Sequence, residues 1–113
     1  MLKYLSYIYI FIMVLTTSSY VYAYNENDLK KLLQNNKCIN CDLSEADLRK
    51  QNLVGANLEG SNLDKANLWR ANLEGANLVN CSFEGANLRR VNLKNTNLDN
   101  SSFRWAIIRH SLM

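Results

Sequence analysis

The 113-residue chain has room for one domain, and its 13 basic and 10 acidic residues give a net charge of +3. That total is too small to identify a partner by charge alone. The chain has one histidine, His110, and no serine or cysteine that this histidine and a carboxylate would activate at a predictable reach. The composition therefore gives no support to an enzyme, and no cofactor or metal is expected.

Residues 1–23 have the order of an export signal. Lys3 precedes an apolar run over 5–15, and a small-residue cleavage site follows, ending at Ala23. Cleavage there would release the remaining chain into the periplasm or the extracellular space. The alternative is an uncleaved membrane anchor over 4–25, because this span carries no charge. Both interpretations place the rest of the chain outside the cytoplasm.

Residues 24–40 are predicted to form a capping segment and its junction with the next region. Leu29, Leu32 and Leu33 have the i, i+3, i+4 spacing of a helix with one apolar face, over Glu26 to Asn36. A helix of this length is marginal alone. We therefore expect its three leucines to cover the first turn of whatever structure follows.

Three cysteines are present, and two of them, Cys38 and Cys41, form a C-x-x-C pair directly after this helix. A thioredoxin-type motif would need a helix that begins at the first cysteine, and a zinc site would need four converging ligands. If a disulfide forms, the expected bridge is Cys38–Cys41, which would fasten the cap. Cys81 is expected to be a buried, inert thiol.

From Leu43 to Ile108 every fifth residue is large and apolar, usually leucine, and asparagine commonly precedes it. A period of five fits neither the 3.6-residue helix nor the two-residue strand. Fixed-period repetition instead predicts a solenoid over 41–113, in which each unit buries its apolar residue by stacking on its neighbours.

The units Ala56–Gly60, Ala66–Arg70 and Ala76–Asn80 carry the pattern A-(D/N)-L-x-x. This pattern resembles the unit of the pentapeptide-repeat family. The resemblance implies an all-β solenoid, a right-handed quadrilateral parallel β-helix with four units per coil, here about 3.5 coils after a short N-terminal capping α-helix. The best-known members are acidic cytoplasmic mimics of DNA, and this chain departs from them in charge and expected location. We therefore do not expect a nucleic-acid-related role.

With four units per coil, residues twenty apart stack in columns. Phe83 and Phe103 then share one inward column, where their rings can pack together. Two faces carry only glycine or asparagine two residues after each apolar centre, which predicts turns with positive φ there. The other two faces carry bulky residues at this position and are expected to turn without positive φ.

One outward face, here called the basic strip, collects cations from every coil. It is the candidate binding site for an anionic partner, and its residues are Arg49, Lys50, Trp69, Arg70, Arg89, Arg90 and Arg109. His110 lies at its end and is expected to be an exposed end residue rather than a base. Contact with a membrane is expected only through this strip or through an uncleaved 4–25.

The last coil is apolar with no helix behind it. Its candidate self-association residues are Trp105, Ile107, Ile108, Leu112 and Met113. The leading hypothesis is an exported, non-enzymatic binding or scaffold module that presents the basic strip to an anionic envelope component, glycan or protein. The alternative is a structural or assembly protein that acts through this last coil, as a homodimer or a partner-binding end.

Overall fold

The computed structural model describes residues 22–113, and these begin with one helix, α1, Glu26–Asn35. The side chain of Asn25 starts the helix by accepting hydrogen bonds from the backbone N–H groups of Asn27 and Asp28, at 2.9 and 3.2 Å. Asn36 ends it in the left-handed conformation, and its N–H donates to the Leu32 carbonyl oxygen at 2.9 Å. The helix therefore has a complete cap at both ends.

Helix α1 packs on the first turn of the repeat region. Leu32 is 1% exposed within the core and Leu29 is partly buried against it, whereas Leu33 is 49% exposed. Two of the three leucines therefore face the repeats. The expectation that Leu33 also covers the first turn is wrong, because its side chain lies outside the helix face that contacts the repeats. The backbone N–H of Asp42 donates to the Asp28 carboxylate at 2.9 Å, which ties the helix to the repeats.

The repeat region contains no extended strand within residues 22–113; its β-structure consists of single-residue parallel bridges between residues twenty apart. Flanking hydrogen bonds run both ways along the stack: Leu43 N–H donates to Asn62 O at 2.8 Å, and Asn62 N–H to Cys41 O at 2.9 Å. The bridged columns are Lys37/Asn57/Asn77/Asn97, Asp42/Asn62/Ser82/Ser102, Asp47/Asn67/Asn87/Ile107 and Asn52/Asn72/Asn92/Leu112. These four columns establish a twenty-residue stacking period.

The stacking begins at Lys37, before the boundary at residue 41 that the sequence pattern suggests. Lys37 bridges Asn57, the Cys38 N–H donates to Asn57 O at 2.7 Å, and Cys38 is fully buried. Cys38 thus occupies the inward position that leucine holds elsewhere. A search for large apolar residues at every fifth position cannot find it, because cysteine is small.

The core is one continuous cluster of inward side chains. The apolar residue at every fifth position is buried from Leu43 to Leu93, and the small residues two positions earlier fill the space between them. The rings of Phe83 and Phe103 are stacked with centroids 5.0 Å apart and planes 4° apart. Toward the C-terminus Leu98 and Phe103 are only partly buried.

All four faces use one type of turn. The residue two positions after each apolar centre has positive φ. The backbone N–H of the next residue donates to the carbonyl oxygen of the apolar centre, as Ala46 N–H does to Leu43 O at 3.1 Å. Bulky residues such as Glu45, Lys65 and Trp105 adopt this conformation alongside glycine and asparagine. The expectation that two faces turn without positive φ is therefore wrong, because continuous stacking imposes one backbone path on every unit.

Among residues 22–113 no helix combines the length and apolar character that crossing a membrane requires. The predicted signal or anchor falls almost entirely within residues 1–21, outside the described residues.

Candidate functional site: the basic strip

The basic strip lies along one face of the stack, beside the bridged column Asp47/Asn67/Asn87/Ile107. Each bridge holds two successive coils in register, so the two residues after each apolar centre repeat at the same height on this face. Paired strands lie about 4.8 Å apart, which sets the spacing of successive side chains along the strip. Arg49, Lys50, Arg70, Arg89, Arg90 and Arg109 are exposed, and Trp69 is half-buried among them.

Trp69 is flanked by two cations. The Arg70 guanidinium carbon lies 4.5 Å from the ring centroid, and the Lys50 ammonium lies 5.3 Å from it. Both distances are within the range of cation–π attraction. The tryptophan therefore orders two of the cations of the strip and divides the strip into an N-terminal and a C-terminal half.

In the N-terminal half, the charge of Arg49 is balanced within the protein. Its Nε and Nη2 groups donate to the two oxygens of Asp47, each at 2.7 Å, in a two-point ion pair. Hydrogen bonds from Arg49 lower the pKa of the Asp47 carboxyl, and the same pairing raises the pKa of the guanidinium. This is the single ion pair among residues 22–113.

In the C-terminal half, the corresponding position holds an amide. Arg89 donates through Nε to the side-chain oxygen of Asn87 at 3.2 Å, in the same relation that Arg49 has to Asp47 two coils earlier. Asn87 also donates to Asn67 at 3.0 Å, within a ladder of side-chain amides. A neutral oxygen does not cancel the charge of Arg89, so this half keeps its positive charge.

Two surface concavities lie on either side of Trp69, each of about 360 Å³. Asp47, Arg49, Lys50, Gln51 and Trp69 line the first. The second is lined by Trp69, Arg89, Arg90, Arg109 and His110. The first therefore contains a carboxylate, and the second is lined only by cations, a tryptophan and a histidine.

The strip carries a bulky residue at each of its left-handed turn positions. Lys50, Arg70, Arg90 and His110 have φ between 57° and 60°. Glycine and asparagine fill this position throughout the two faces that contain Gly55 and Gly60. A left-handed conformation costs an L-residue with a Cβ roughly 1–2 kcal/mol relative to glycine. The strip therefore carries a conformational cost at each turn, as the face with Glu45, Lys65 and Trp105 also does at those three turns.

The candidate self-association residues lie together at the C-terminal end of the stack and are exposed. Trp105 is 78% and Met113 73% exposed, and the remaining members, Ile107, Ile108 and Leu112, are also exposed. Ile107 is bridged to Asn87 and Leu112 to Asn92, so both belong to the stacked backbone.

Cys38 and Cys41 are joined by a disulfide, with their Cα atoms 5.6 Å apart. Asp28 lies beside this pair, and the potential ligand atoms of all three residues fall within 4.8 Å of one another. Because the two sulfurs are bonded to each other, neither is the thiolate that a metal ion needs. The cysteine pair therefore fastens the beginning of the first coil, directly after α1.

Cys81 is a buried free thiol. Burial raises its pKa to about 11. A thiol that stays protonated is a poor nucleophile.

The repeat pattern predicted that the strip residues share one face, but it did not predict the ion pair between Arg49 and Asp47. Asp47 lies two positions before Arg49, and the opposite charges at this spacing were the available signal. The contacts of Lys50 and Arg70 with Trp69 depend on side-chain conformations, which the repeat pattern does not specify.

Several solved structures are similar to this chain. A pentapeptide repeat protein from the cyanobacterium Cyanothece 51142 is 22% identical, with 76% of this chain and 97% of that chain covered and a TM-score of 0.40. One from the Arabidopsis thaliana thylakoid lumen is 24% identical, covering 72% of this chain and 57% of that one, with a TM-score of 0.41. One from Nostoc PCC 7120 is 25% identical, covering 73% and 74%, with a TM-score of 0.44. No curated protein matches this chain.

The stacked five-residue units define a repeat solenoid with a charged outer face. The profile of the family described as Pentapeptide repeats matches residues 41–78 and 76–113, in 8 copies. The chain therefore belongs to the pentapeptide-repeat family, as its A-(D/N)-L-x-x units indicated. Proteins of this family fold as right-handed quadrilateral β-helices and are generally non-enzymatic structural repeat proteins.

Proposed function

We propose that this protein is a non-enzymatic binding module that presents the basic strip to an anionic surface, glycan or protein. The observation that carries the proposal is the alignment of exposed cations from successive coils on one face, with Trp69 among them. A row of guanidinium groups offers paired N–H donors to carboxylate, phosphate or sulfate oxygens.

The stacking of the cations supports a binding role over an ordinary solvated surface. Lys50, Arg70 and Arg90 follow one another on coils about 4.8 Å apart, and their like charges repel one another unless an anion or salt offsets the repulsion. An anionic partner bound along the strip would relieve this repulsion.

The experiment is a binding assay across a salt series with the wild-type protein and the Arg70→Glu/Arg89→Glu double variant. Vesicles of equal parts phosphatidylglycerol and phosphatidylcholine, lipopolysaccharide, cell-wall glycan and heparin serve as probes. We expect binding that weakens with salt and is lost in the double variant.

The matched control replaces two cations on other faces, as Lys65→Glu/Lys94→Glu, which changes the net charge equally. Equal loss in both double variants, or no binding of any probe at low salt, would refute the proposal. Circular dichroism checks that all three proteins are folded.

The expected location of the protein is the periplasm or the extracellular space. A disulfide such as Cys38–Cys41 persists in an oxidising compartment, which supports this location. Fractionation of the producing cell, with mass spectrometry of the N-terminus, tests export and cleavage after Ala23.

In the same proposal the repeat units form about 3.5 coils, and α1 is the cap that covers the apolar start of the stack.

A second candidate is a structural or assembly role through the C-terminal coil. The specific observation is the group of exposed apolar side chains there, led by Trp105 and Met113. Two copies related by a two-fold axis would cover each other's apolar surface. Sedimentation tests this: Ile107→Asp or Ile108→Asp should make a dimer monomeric, and a wild-type protein that is already monomeric at high concentration refutes the candidate.

A further inference from the structure

The two halves of the basic strip differ in the side chain that accepts hydrogen bonds from the arginine beside the bridged column. The Asp47 carboxylate accepts two hydrogen bonds from Arg49 and neutralises its charge, whereas Asn87, in the equivalent position two coils later, offers Arg89 only a neutral oxygen. Positions 47 and 87 belong to the same bridged column, so the two local environments are built on the same backbone.

An external anion at the first concavity would meet the Asp47 carboxylate and compete with it for Arg49. The second concavity has no carboxylate in its lining, and three arginines, Arg89, Arg90 and Arg109, line it. An anion there gains charge-assisted hydrogen bonds without breaking an internal ion pair.

We propose that the second concavity is a site for a tetrahedral oxyanion, a sulfate or phosphate ester, and that Asp47 closes the first concavity to such ligands. This inference rests on the proposed function and assigns its ligand chemistry and position. A carboxylate has two acceptor oxygens and satisfies one guanidinium fork, whereas a tetrahedral ester has enough oxygens to accept from several. Three arginines around one concavity therefore favour the ester.

Trp69 forms the wall between the two concavities. Lys50 and Arg70 lie over its ring and Arg49 pairs with Asp47, so within the basic strip the cations with neither an aromatic nor a carboxylate partner among residues 22–113 are those that line the second concavity. The carrier of the ester, a sulfated glycan or a phosphorylated lipid headgroup, is distinguished by the probes below.

The decisive variant is Asn87→Asp, which places a carboxylate beside Arg89 as Asp47 stands beside Arg49. Isothermal titration uses three soluble probes: a sulfated oligosaccharide from heparin, a short-chain phosphatidic acid, and an oligogalacturonate that carries only carboxylates. We expect Asn87→Asp to weaken binding of the ester probes about tenfold, because one charge-assisted contact is lost to the internal pair. The reverse change, Asp47→Asn, should strengthen binding several-fold.

Two controls separate charge from structure. Asn52→Asp adds the same charge on another face, where the Asn52 side-chain oxygen accepts from the Val54 N–H at 3.3 Å, and should leave binding unchanged. Asn87→Ser removes the amide and its hydrogen bond to Asn67 without adding charge, and should retain the affinity within about twofold.

The ester probe that binds more tightly identifies the carrier, and either result supports the site. Equal affinity for oligogalacturonate, or equal weakening in Asn87→Ser and Asn87→Asp, would overturn it. Binding that is lost in Arg70→Glu/Arg89→Glu but survives Asn87→Asp would leave the proposed function intact and refute this site. Absence of binding by every probe would refute both.

Discussion

The buried thiol of Cys81 donates a hydrogen bond to the carbonyl oxygen of Leu58, 3.0 Å away and twenty-three residues earlier. Ser101, one coil later in the same column, makes the corresponding bond to Leu78 at 2.5 Å, and Ser61, one coil earlier, makes it to Cys38 at 2.6 Å. From Ser61 to Ser101, each member of this column is a small side chain that donates one hydrogen bond to a carbonyl oxygen, whether the donor atom is sulfur or oxygen.

This relationship predicts that Cys81→Ser changes the free energy of unfolding by less than about 1 kcal/mol, because the hydroxyl replaces the same bond. Cys81→Leu should destabilise by about 1–3 kcal/mol, because the position is fully packed. Urea denaturation of the two variants measures the difference. Equal loss of stability in both would contradict the interpretation of the column.

The protonated state of Cys81 predicts its reactivity. With a pKa of about 11 and a buried sulfur, this thiol should resist iodoacetamide at pH 8 in the native protein. It should react at once in denaturant, where the pKa returns to its ordinary value. Mass spectrometry of the alkylated protein tests this, and rapid labelling of the folded protein would count against it.

The stacked rings of Phe83 and Phe103 differ in burial, and this predicts unequal costs of truncation. Phe83 is fully buried, so Phe83→Ala should destabilise by about 3–5 kcal/mol. Phe103→Ala should destabilise by less, because its ring is only partly buried. Phe83→Leu introduces the residue most common at inward positions and serves as the conservative control. A larger effect at Phe103 than at Phe83 would be inconsistent with this packing.

The uniform left-handed turns predict stabilising substitutions outside the strip. Lys65 has φ of 58°, and Lys65→Gly should raise the free energy of unfolding by roughly 0.5–1 kcal/mol after the entropy cost of glycine is deducted. Gly75→Ala should lower it by about 1 kcal/mol, because an added methyl group meets no atom within 4 Å and only the conformation changes. Thermal denaturation measures both, and the two effects must have opposite signs.

The Cys38–Cys41 disulfide closes a short loop where α1 meets the first coil. Chain-entropy arguments give a stabilisation of about 2 kcal/mol for so small a loop. Reduction should therefore increase amide hydrogen exchange in α1 and in the first coil, and leave exchange around Phe83 unchanged. The Cys38→Ser/Cys41→Ser variant should exchange in the same way with or without reductant. Uniform acceleration along the whole chain would contradict a local role.

The sequence predicted much of the scaffold because one physical rule, burial of an apolar residue at every fifth position, acts on every unit. The twenty-residue stacking and the packing of Phe83 on Phe103 follow from that rule. The placement of the strip residues on one face follows as well. This rule does not determine the backbone conformation of each outward-facing residue. Lys50 was expected to avoid positive φ, yet the common backbone path of the stack overrides its preference.

The repeat pattern also did not predict the ion pair between Arg49 and Asp47. It arises from two side chains that reach toward each other across an outer edge, and the repeat leaves such positions free to vary. The pattern missed Cys38 as an inward residue for a different reason. Cys38 occupies a buried inward position of the stack, but it is not one of the large apolar residues that define the pattern.

The twenty-residue register restricts how the gene for this protein can lengthen or shorten. Duplication or deletion of a whole coil leaves every downstream residue on its original face and simply makes the row of cations longer or shorter. A single five-residue unit inserted between Arg70 and Arg89 preserves the core equally well, because another leucine fills the next inward position. Such an insertion nevertheless rotates everything beyond it by a quarter turn and moves Arg89 onto a neighbouring face. Lineages that keep the strip should therefore vary in length by whole coils at this point, and by single units only at the two ends.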